Sequence, residues 1–298
     1  MNWILLSLIG ALSQAASSAF KKKALQTPGM NNVIGFVSFA FAGIIFWALF
    51  MANSGTLWMN GLTLKFWHAT FWYAGLNVLA VYYLYKALDI AEFNYLMPFM
   101  TLTSLLLIIP PIFLLGEIPS LKSVGGIALI VGGAIIMNWR KKGEAGEARK
   151  KANRKGVLYF FITALCFTIV PTAAKITIQE SSVLFSSLVV HLAIGLGFLL
   201  LLFIFRETPK LSEAMSRNNR KLLLAVLIAG AIIVFENGSI NLALKNTGVA
   251  YVFAIKRLMP LFAFLIGVVY FKERTEIAKK ILATALMVAG AVVVTLYK

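Results

Sequence analysis

The sequence contains few of the residues from which most catalytic and metal sites are built. Its 298 residues include one cysteine, two histidines and 11 acidic residues, against 28 lysines and arginines. The lone Cys166 excludes an intrachain disulfide, and no HExxH motif, paired CxxC motif or glycine-rich phosphate loop is present. We therefore predict no metal site, no cofactor, no nucleotide hydrolysis and no catalytic residue, and we expect that the protein is not an enzyme.

Charge is also scarce in the body of the chain, which is 60% hydrophobic and 13% charged. Soluble domains carry about 25% charged residues. The apolar residues form runs close to the ~20 residues that a helix needs to cross a bilayer, without the short alternation of membrane β-strands. We predict an all-α integral membrane protein with ten spans, at residues 3–20, 32–51, 66–88, 93–115, 121–139, 157–178, 183–205, 222–244, 249–271 and 277–297.

The net charge of +17 does not indicate a nucleic-acid partner. All but two of the basic residues fall in predicted loops or at helix ends, where they contact lipid headgroups and set orientation. Loops after odd-numbered spans carry 21 of the 28. Under the positive-inside rule these loops lie in the cytoplasm and both termini lie outside, in a multi-pass protein of the plasma membrane.

A basic linker at residues 140–156, for which an interfacial helix is the alternative form, separates two halves, residues 1–139 and 157–298, each with five predicted spans. An offset of 156 residues places Ala87-Leu88 on Ala243-Leu244, and Glu117 on Glu273. The shared offset and span order predict an internal duplication. Because each half has an odd number of spans, the two copies are expected to lie inverted in the membrane, an architecture that recurs in secondary transporters.

The segments at residues 85–117 and 241–273 carry a resemblance to a known family. In each, an Ala-Leu pair ends one helix, a tight turn follows, and a proline-containing helix ends at glutamate. The pattern resembles EamA-type proteins of the drug/metabolite transporter superfamily. The resemblance implies ten helices in two inverted repeats, with the third, fourth, eighth and ninth lining a central cavity. It also implies cytoplasmic termini, which conflicts with the charge bias, so the orientation stays open.

Three ionisable residues lie where lipid is expected. Glu236 falls in the middle of the eighth span, and Lys256 and Arg257 fall together in the ninth. A charge at that depth costs at least about 2.5–3.5 kcal/mol on insertion scales and commonly marks a substrate or ion path. The alternative is an internal salt bridge that holds the two helices together. The second cation favours a binding site, because one carboxylate neutralises one partner and an anionic substrate would neutralise the other.

Further candidates surround these three. Asn237 and Asn241 share one face of the eighth helix and either bind substrate or bridge helices. Asn77, Tyr82 and Tyr95 are the matching candidates for substrate binding in the first half, and Pro98 and Pro260 are candidate kinks for gating. We expect His191 to be a hydrogen-bonded core residue and Lys175 to reach the headgroups. The glycine pairs at residues 125–126 and 132–133 predict close helix packing, available to a homodimer.

The predicted function is secondary transport of a small polar or anionic metabolite, an amino acid or related organic anion, by alternating access, with export as the expected direction. An organic-phosphate or sugar-phosphate exchanger is one alternative, because Lys256-Arg257 also resembles the phosphate-binding pair of plastid-type members. The fourth span lacks the lysine that those members use. A lipid-linked carrier flippase of the same fold is a second alternative. A membrane-embedded enzyme is a distant one, since the short loops offer no cluster of histidines and acids.

Overall fold

A computed structural model describes residues 2–24, 30–90, 106–138, 147–216, 219–262, 265 and 277–298. The described residues form helices and short connections, which confirms the predicted all-α class. Their helices are α1 (Trp3–Ala24), α2 (Asn31–Ser54), α3 (Leu64–Ile90), α4 (Ile109–Leu115), α5 (Leu121–Asn138), α6 (Glu147–Gln179), α7 (Val183–Ile204), α8 (Thr208–Met215), α9 (Arg220–Asn246), α10 (Val249–Lys256) and α11 (Ile277–Leu296).

Five of these helices are long and apolar enough to cross a membrane, namely Asn31–Ser54, Lys155–Gln179, Val183–Ile204, Arg220–Asn246 and Ala278–Leu296. Two shorter apolar helices, Trp3–Ala16 and Leu121–Met137, accompany them. The protein is therefore a multi-pass helical membrane protein. The count of ten spans and the inverted repeat stay predictions.

Short hydroxyl side chains determine where three of the helices begin. The hydroxyl of Thr63 accepts a hydrogen bond from the Phe66 amide before α3, and Ser120 and Ser182 make equivalent bonds before α5 and α7. Such caps satisfy amides that have no partner inside the helix. At the other end of α2, Gly55 adopts φ +69°, and its amide bonds to the Met51 carbonyl. These local signals keep the α2–α3, α4–α5 and α6–α7 connections short.

One helix begins inside the predicted linker. Part of residues 140–156 is helical, since α6 starts at Glu147 and continues into the sixth predicted span. The first residues of α6, EARKKANRK, are mostly good helix formers despite their charge. The apolar part of α6 therefore continues from a polar, basic helical segment.

Four helix pairs make the most extensive contacts, and they follow a pattern. α2 packs on α7 and α5 packs on α11, while α1 packs on α9 and α3 packs on α6. Counted within the predicted halves, α1 and α6 are first helices, and α3 and α9 are third helices. The last two contacts are thus the same contact with the halves exchanged. This exchange symmetry is what an internal duplication would produce.

The α5–α11 pair packs closely because glycine has no side chain at the contact. A Cβ atom added to Gly126 would lie 2.8 Å from the Gly290 carbonyl oxygen, and one added to Gly290 would lie 2.5 Å from the Gly126 carbonyl oxygen. Only glycine permits so close an approach of two backbones. The predicted glycine face is used inside one chain at this contact, and the homodimer stays a prediction.

The helix bundle has two ends that differ in charge. We call the end that holds both chain termini the terminal end, where the Lys298 ammonium lies 5.0 Å from the centre of the Trp3 ring. The opposite end, which we call the basic end, carries among the described residues Lys86, Lys155, Arg206, Lys210, Arg220, Lys221, Lys279 and Lys280. The ends of α3 and α7 and the start of α2 meet at the basic end.

Candidate functional site

The ninth predicted span is interrupted where its two cations lie. α10 ends at Lys256, and Arg257 and Leu258 form a turn before helical residues resume at Met259 and Pro260. Proline has no amide hydrogen, and its ring clashes with the carbonyl four residues earlier, which here belongs to Lys256. The break therefore falls at Lys256. Interrupted helices of this kind commonly form the binding sites of secondary transporters.

Glu236 of α9 meets Lys256 at this break. The Lys256 Nζ lies 3.0 Å from the Glu236 Oε1, and both side chains are only 11% exposed. The ammonium also lies 5.3 Å from the centre of the Phe253 ring. Neither charge would be stable alone in such surroundings, so each lowers the cost of burying the other. The structure thus brings together two of the three ionisable residues that the sequence singled out.

This ion pair fits both readings that the sequence left open. It joins α9 to α10, as a structural salt bridge would, and it also sits at a helix break, as a binding site would. Arg257 follows Lys256 directly and is partly buried; its amide bonds to the carbonyls of Phe253 and Ala254. The C-terminal end of α10 favours both cations, because helix dipoles place partial negative charge there.

Asn237 and Asn241 both contact α7 and form a buried polar network beside Glu236. The Asn237 amide nitrogen lies 3.0 Å from His191 Nε2, and the Asn241 amide nitrogen donates to the Ser187 hydroxyl at 2.9 Å. His191 Nδ1 lies 2.6 Å from the Ser187 carbonyl oxygen, so this nitrogen must carry the proton and donate. The neutral ring then accepts from Asn237 through Nε2. His191 is hydrogen-bonded and buried, as the sequence predicted.

The remaining sequence candidates are not all placed at this network. Asn77 is buried and donates to the Tyr73 carbonyl of its own helix at 3.3 Å. Tyr82 lies nine residues beyond Tyr73 on α3, roughly 13 Å along the helix axis, and lines a cavity at the basic end. Tyr82 is therefore placed at the basic end, whereas Tyr73 and Asn77 lie nearer the middle of α3. Tyr95 and Pro98 lie outside the described residues.

Lys175 does not reach the headgroups, and the prediction that it would is wrong. Its side chain is 10% exposed, pairs with the Glu117 carboxylate and donates to the Thr247 carbonyl oxygen at 2.7 Å. Glu117 also accepts a hydrogen bond from the Val249 amide at 2.8 Å. A partner buried nearby makes extension to the membrane surface unnecessary. We call Glu117, Lys175, Thr247 and Val249 the Glu117 cluster.

A second ion pair lies at the terminal end of the bundle, as the Glu117 cluster does. Glu180, just after α6, bonds to the Lys65 ammonium at 2.9 Å and to the Thr63 hydroxyl at 2.8 Å. These two contacts, with Lys65 the larger, hold the pKa of the Glu180 carboxyl below its usual range. Like the Glu117 cluster, this contact joins a residue of the first predicted half to a residue of the second.

Sequence reasoning missed the Glu117 cluster and the cavity at the basic end. Glu117 and Lys175 are 58 residues apart, and Asn32 and Glu207 are 175 apart. No periodicity or spacing connects residues so distant in the chain. The one available signal was the presence of Lys175 inside an apolar run, which requires a partner or a path to the surface.

Comparison with known proteins connects this chain to a family. Residues 154–296 match the model of the EamA-like transporter family. A solved crystal structure of a protein superimposes with a TM-score of 0.78 at 17% identity, covering 99% of this chain and 96% of that one. At this identity the likeness shows the fold alone. No curated protein matches the chain.

Proposed function

Because the chain belongs to the EamA-like transporter family, within the drug/metabolite transporter superfamily, we propose that it is a secondary transporter that works by alternating access between two inverted five-helix repeats. It is a membrane transporter that handles a small molecule, and members of the family are transporters rather than enzymes. The exchange symmetry of the helix contacts, α1 on α9 and α3 on α6, supports the repeat. Residues 1–139 and 157–298 are the proposed repeats.

The observation that carries the proposal is the Glu236–Lys256 pair at the break of α10. A polar site half-way along the helices must be reached through one end of the bundle at a time if the membrane barrier is to hold. Two ion pairs join the halves at the terminal end, and we propose that they close it in this conformation. The basic end opens into a polar cavity, so the substrate is proposed to move between that cavity and the ion pair.

The proposed substrate is a small metabolite with at least one carboxylate, such as an amino acid or related organic anion. Glu236 supplies one negative charge, and Lys256 and Arg257 supply two positive ones, so these three residues carry a net positive charge. Arginine suits bidentate capture of a carboxylate, and lysine acts as a point charge. Asn237 and Asn241 provide neutral donors on the same helix as Glu236. Export across the plasma membrane is the proposed direction and location.

The test is transport by purified protein in liposomes. Vesicles loaded with one unlabelled metabolite are given labelled anionic, zwitterionic or cationic compounds of similar size, and exchange is measured. We expect exchange of carboxylate-bearing compounds and its loss in Glu236→Gln and Lys256→Met. Lys122→Met, at an exposed lysine of the terminal end, is the matched control. Exchange of organic cations in preference to anions would contradict the proposed site.

A further inference from the structure

A separate cavity lies at the basic end, roughly 20 Å along α7 from His191. It encloses about 400 Å³ and is lined by residues of α2, α3 and the connection after α7, among them Asn32, Tyr82, Tyr85, Lys86, Phe205 and Glu207. Phe205 is 14 residues beyond His191 along α7, which at 1.5 Å per residue gives the separation. We call it the Lys86 cavity. Its size is near the lower limit for small-molecule sites.

The cavity holds one fixed carboxylate. Glu207 Oε2 accepts a hydrogen bond from the Asn32 amide at 2.7 Å, and Oε1 pairs with Lys210 at 2.6 Å. These contacts come from two different elements and fix the carboxylate in one place. A carboxylate accepts about four hydrogen bonds, so Glu207 retains acceptor capacity toward the cavity. Preorganisation of this kind lowers the cost of binding a ligand ammonium group.

The cavity also holds one cation on an aromatic wall. The Lys86 ammonium lies 4.4 Å from the centre of the Tyr82 ring, and Tyr82 stacks on Phe205 at 5.7 Å with the rings nearly parallel. Within the described part of the chain, Lys86 makes no ion pair with a carboxylate. The Lys86 side chain is exposed at this wall, where an anionic group can reach its ammonium, and the rings offer apolar surface for the remainder of a ligand.

We propose that the Lys86 cavity is a second binding site, distinct from the Glu236 site, which takes a small zwitterion before or after its passage through the centre. Lys86 would bind the anionic group, Glu207 the ammonium group, and the Tyr82–Phe205 wall the apolar part. Glu207 is shared with Lys210, so the cavity offers a ligand the Lys86 ammonium and the acceptor capacity that Glu207 retains. This inference rests on the proposed transport function and adds a selecting step to it.

Three matched probes test the charge requirement. L-Leucine carries both groups, 4-methylpentanoate lacks the ammonium and 3-methylbutylamine lacks the carboxylate. Binding is measured by calorimetry on the full-length protein in phosphatidylglycerol nanodiscs. We expect L-leucine to bind about tenfold more tightly than either analogue, as the loss of one charge-assisted hydrogen bond predicts. Equal affinities, or no measurable binding, would overturn the proposal.

Variants locate the binding. Lys86→Gln should remove the advantage of L-leucine over 3-methylbutylamine, and Glu207→Gln should remove its advantage over 4-methylpentanoate. The matched control is Lys122→Gln, because the Lys122 ammonium lies 4.3 Å from the Tyr297 ring centre in the same geometry at the terminal end. A Lys86→Gln protein that binds all three probes like the control would overturn the proposal.

Two further experiments are needed. One distinguishes a failure of the cavity site from a failure of the proposed transport function, and the other distinguishes a solute site from a lipid site. Glu236→Gln should keep the leucine preference while it loses transport in liposomes. Retained transport would contradict the central site alone, whereas lost binding in Glu236→Gln with unchanged binding in Lys86→Gln would contradict the cavity alone. Phosphatidylcholine presents a zwitterionic headgroup, so affinity that falls in phosphatidylcholine nanodiscs would assign the cavity to lipid and overturn the solute site.

Discussion

The two ends of the bundle use similar polar residues in opposite ways. At the terminal end, Lys175 pairs with Glu117 and Lys65 pairs with Glu180, each joining one predicted half to the other. At the basic end, Lys86 and Glu207 line a cavity of about 400 Å³. Ion pairs at the first end join the two halves, whereas at the second end Glu207 pairs with Lys210 of its own half and Lys86 lies beside a space that a solute can enter.

This contrast indicates what a change of access must involve. Opening the terminal end requires the Glu117 cluster to separate, because it links α4 to α6 and to the connection between α9 and α10. Under the proposed alternating access, closing the basic end would require the Lys86 cavity to collapse. One arrangement would then form only as the other is lost, so interactions at one end should influence the state of the other.

Breaking the Glu117 cluster should have the largest effect on stability. Lys175→Met leaves the Glu117 carboxylate without its cation and should cost about 3 kcal/mol, the low end of the range for buried pairs, since 23% of the Glu117 side chain is exposed. The measurement is unfolding of the purified protein in detergent. Lys122→Met is the control, and adding Glu117→Gln to Lys175→Met should recover part of the loss. If Lys175→Met were as stable as the control, the Glu117 cluster would contribute nothing to holding the two halves together.

Changing the centre should impair transport while both ends stay intact. Arg257→Ala removes a partly buried cation next to the Glu236–Lys256 pair, and we expect transport to fall about thirtyfold or more, from a loss of at least about 2 kcal/mol. Arg257→Lys should also fail, because an ammonium lacks the planar fork of guanidinium. Exchange in liposomes and a melting curve are measured together. A large fall in the melting temperature of Arg257→Ala would show that Arg257 has a structural role. Normal exchange by Arg257→Lys would show that only the positive charge at this position matters.

Much of the fold could be predicted from where apolar runs start and stop. The predicted bounds of α2, α7 and α9 lie within three residues of those observed, because a helix in lipid must satisfy all its backbone groups internally. The approach of Glu236 to Lys256 followed the same logic, since a charge at that depth needs a partner. The start of α6 at Glu147 could not be located from the sequence, because its first residues are charged and carry no apolar signal.

Contacts between distant residues could not be predicted. Lys175 was expected to reach the headgroups because its depth alone gave no hint that Glu117 would lie beside it. Tyr82 was grouped with Glu236 because both belong to helices that line a central cavity in similar proteins. Which level of α3 faces which cavity depends on how the helices are staggered, and a single sequence contains no record of that. The role of Asn77 likewise stays a prediction.

The network around His191 should have a moderate effect. His191→Phe keeps the ring that packs 4.9 Å from Phe46 but removes the acceptor of the Asn237 amide. We expect a loss of about 1–2 kcal/mol, because the half-buried amide donor of Asn237 is left without its partner. Unfolding of His191→Phe, Asn237→Leu and the double variant forms a cycle. If the two single effects simply add, the contact does not stabilise the protein.

The smallest effect is expected at Glu180, where the pH dependence of stability tests the contribution of a partly exposed ion pair at the terminal end. Since Lys65 and Thr63 lower the pKa of the folded carboxyl, its contribution to stability is complete above the unfolded value of about 4.3 and is lost as pH falls through the folded pKa. Wild type should therefore lose its small advantage over Glu180→Gln in acid and in high salt. Melting temperatures of both proteins between about pH 3 and 7 provide the check. An advantage that persists in acid would show that the charge is irrelevant.

Distances across both ends test the central claim of alternating access most directly. In a Cys166→Ala background, one spin-label pair is placed at Asn60 and Asn246 of the terminal end, and another at Ile90 and Met215 of the basic end, all of them exposed residues. Both distances are measured by pulsed electron paramagnetic resonance, with and without a solute exchanged in liposomes. We predict that the solute adds a population with a longer terminal-end distance and a shorter basic-end distance. Distances that lengthen together, or that do not respond to the solute, would contradict the account.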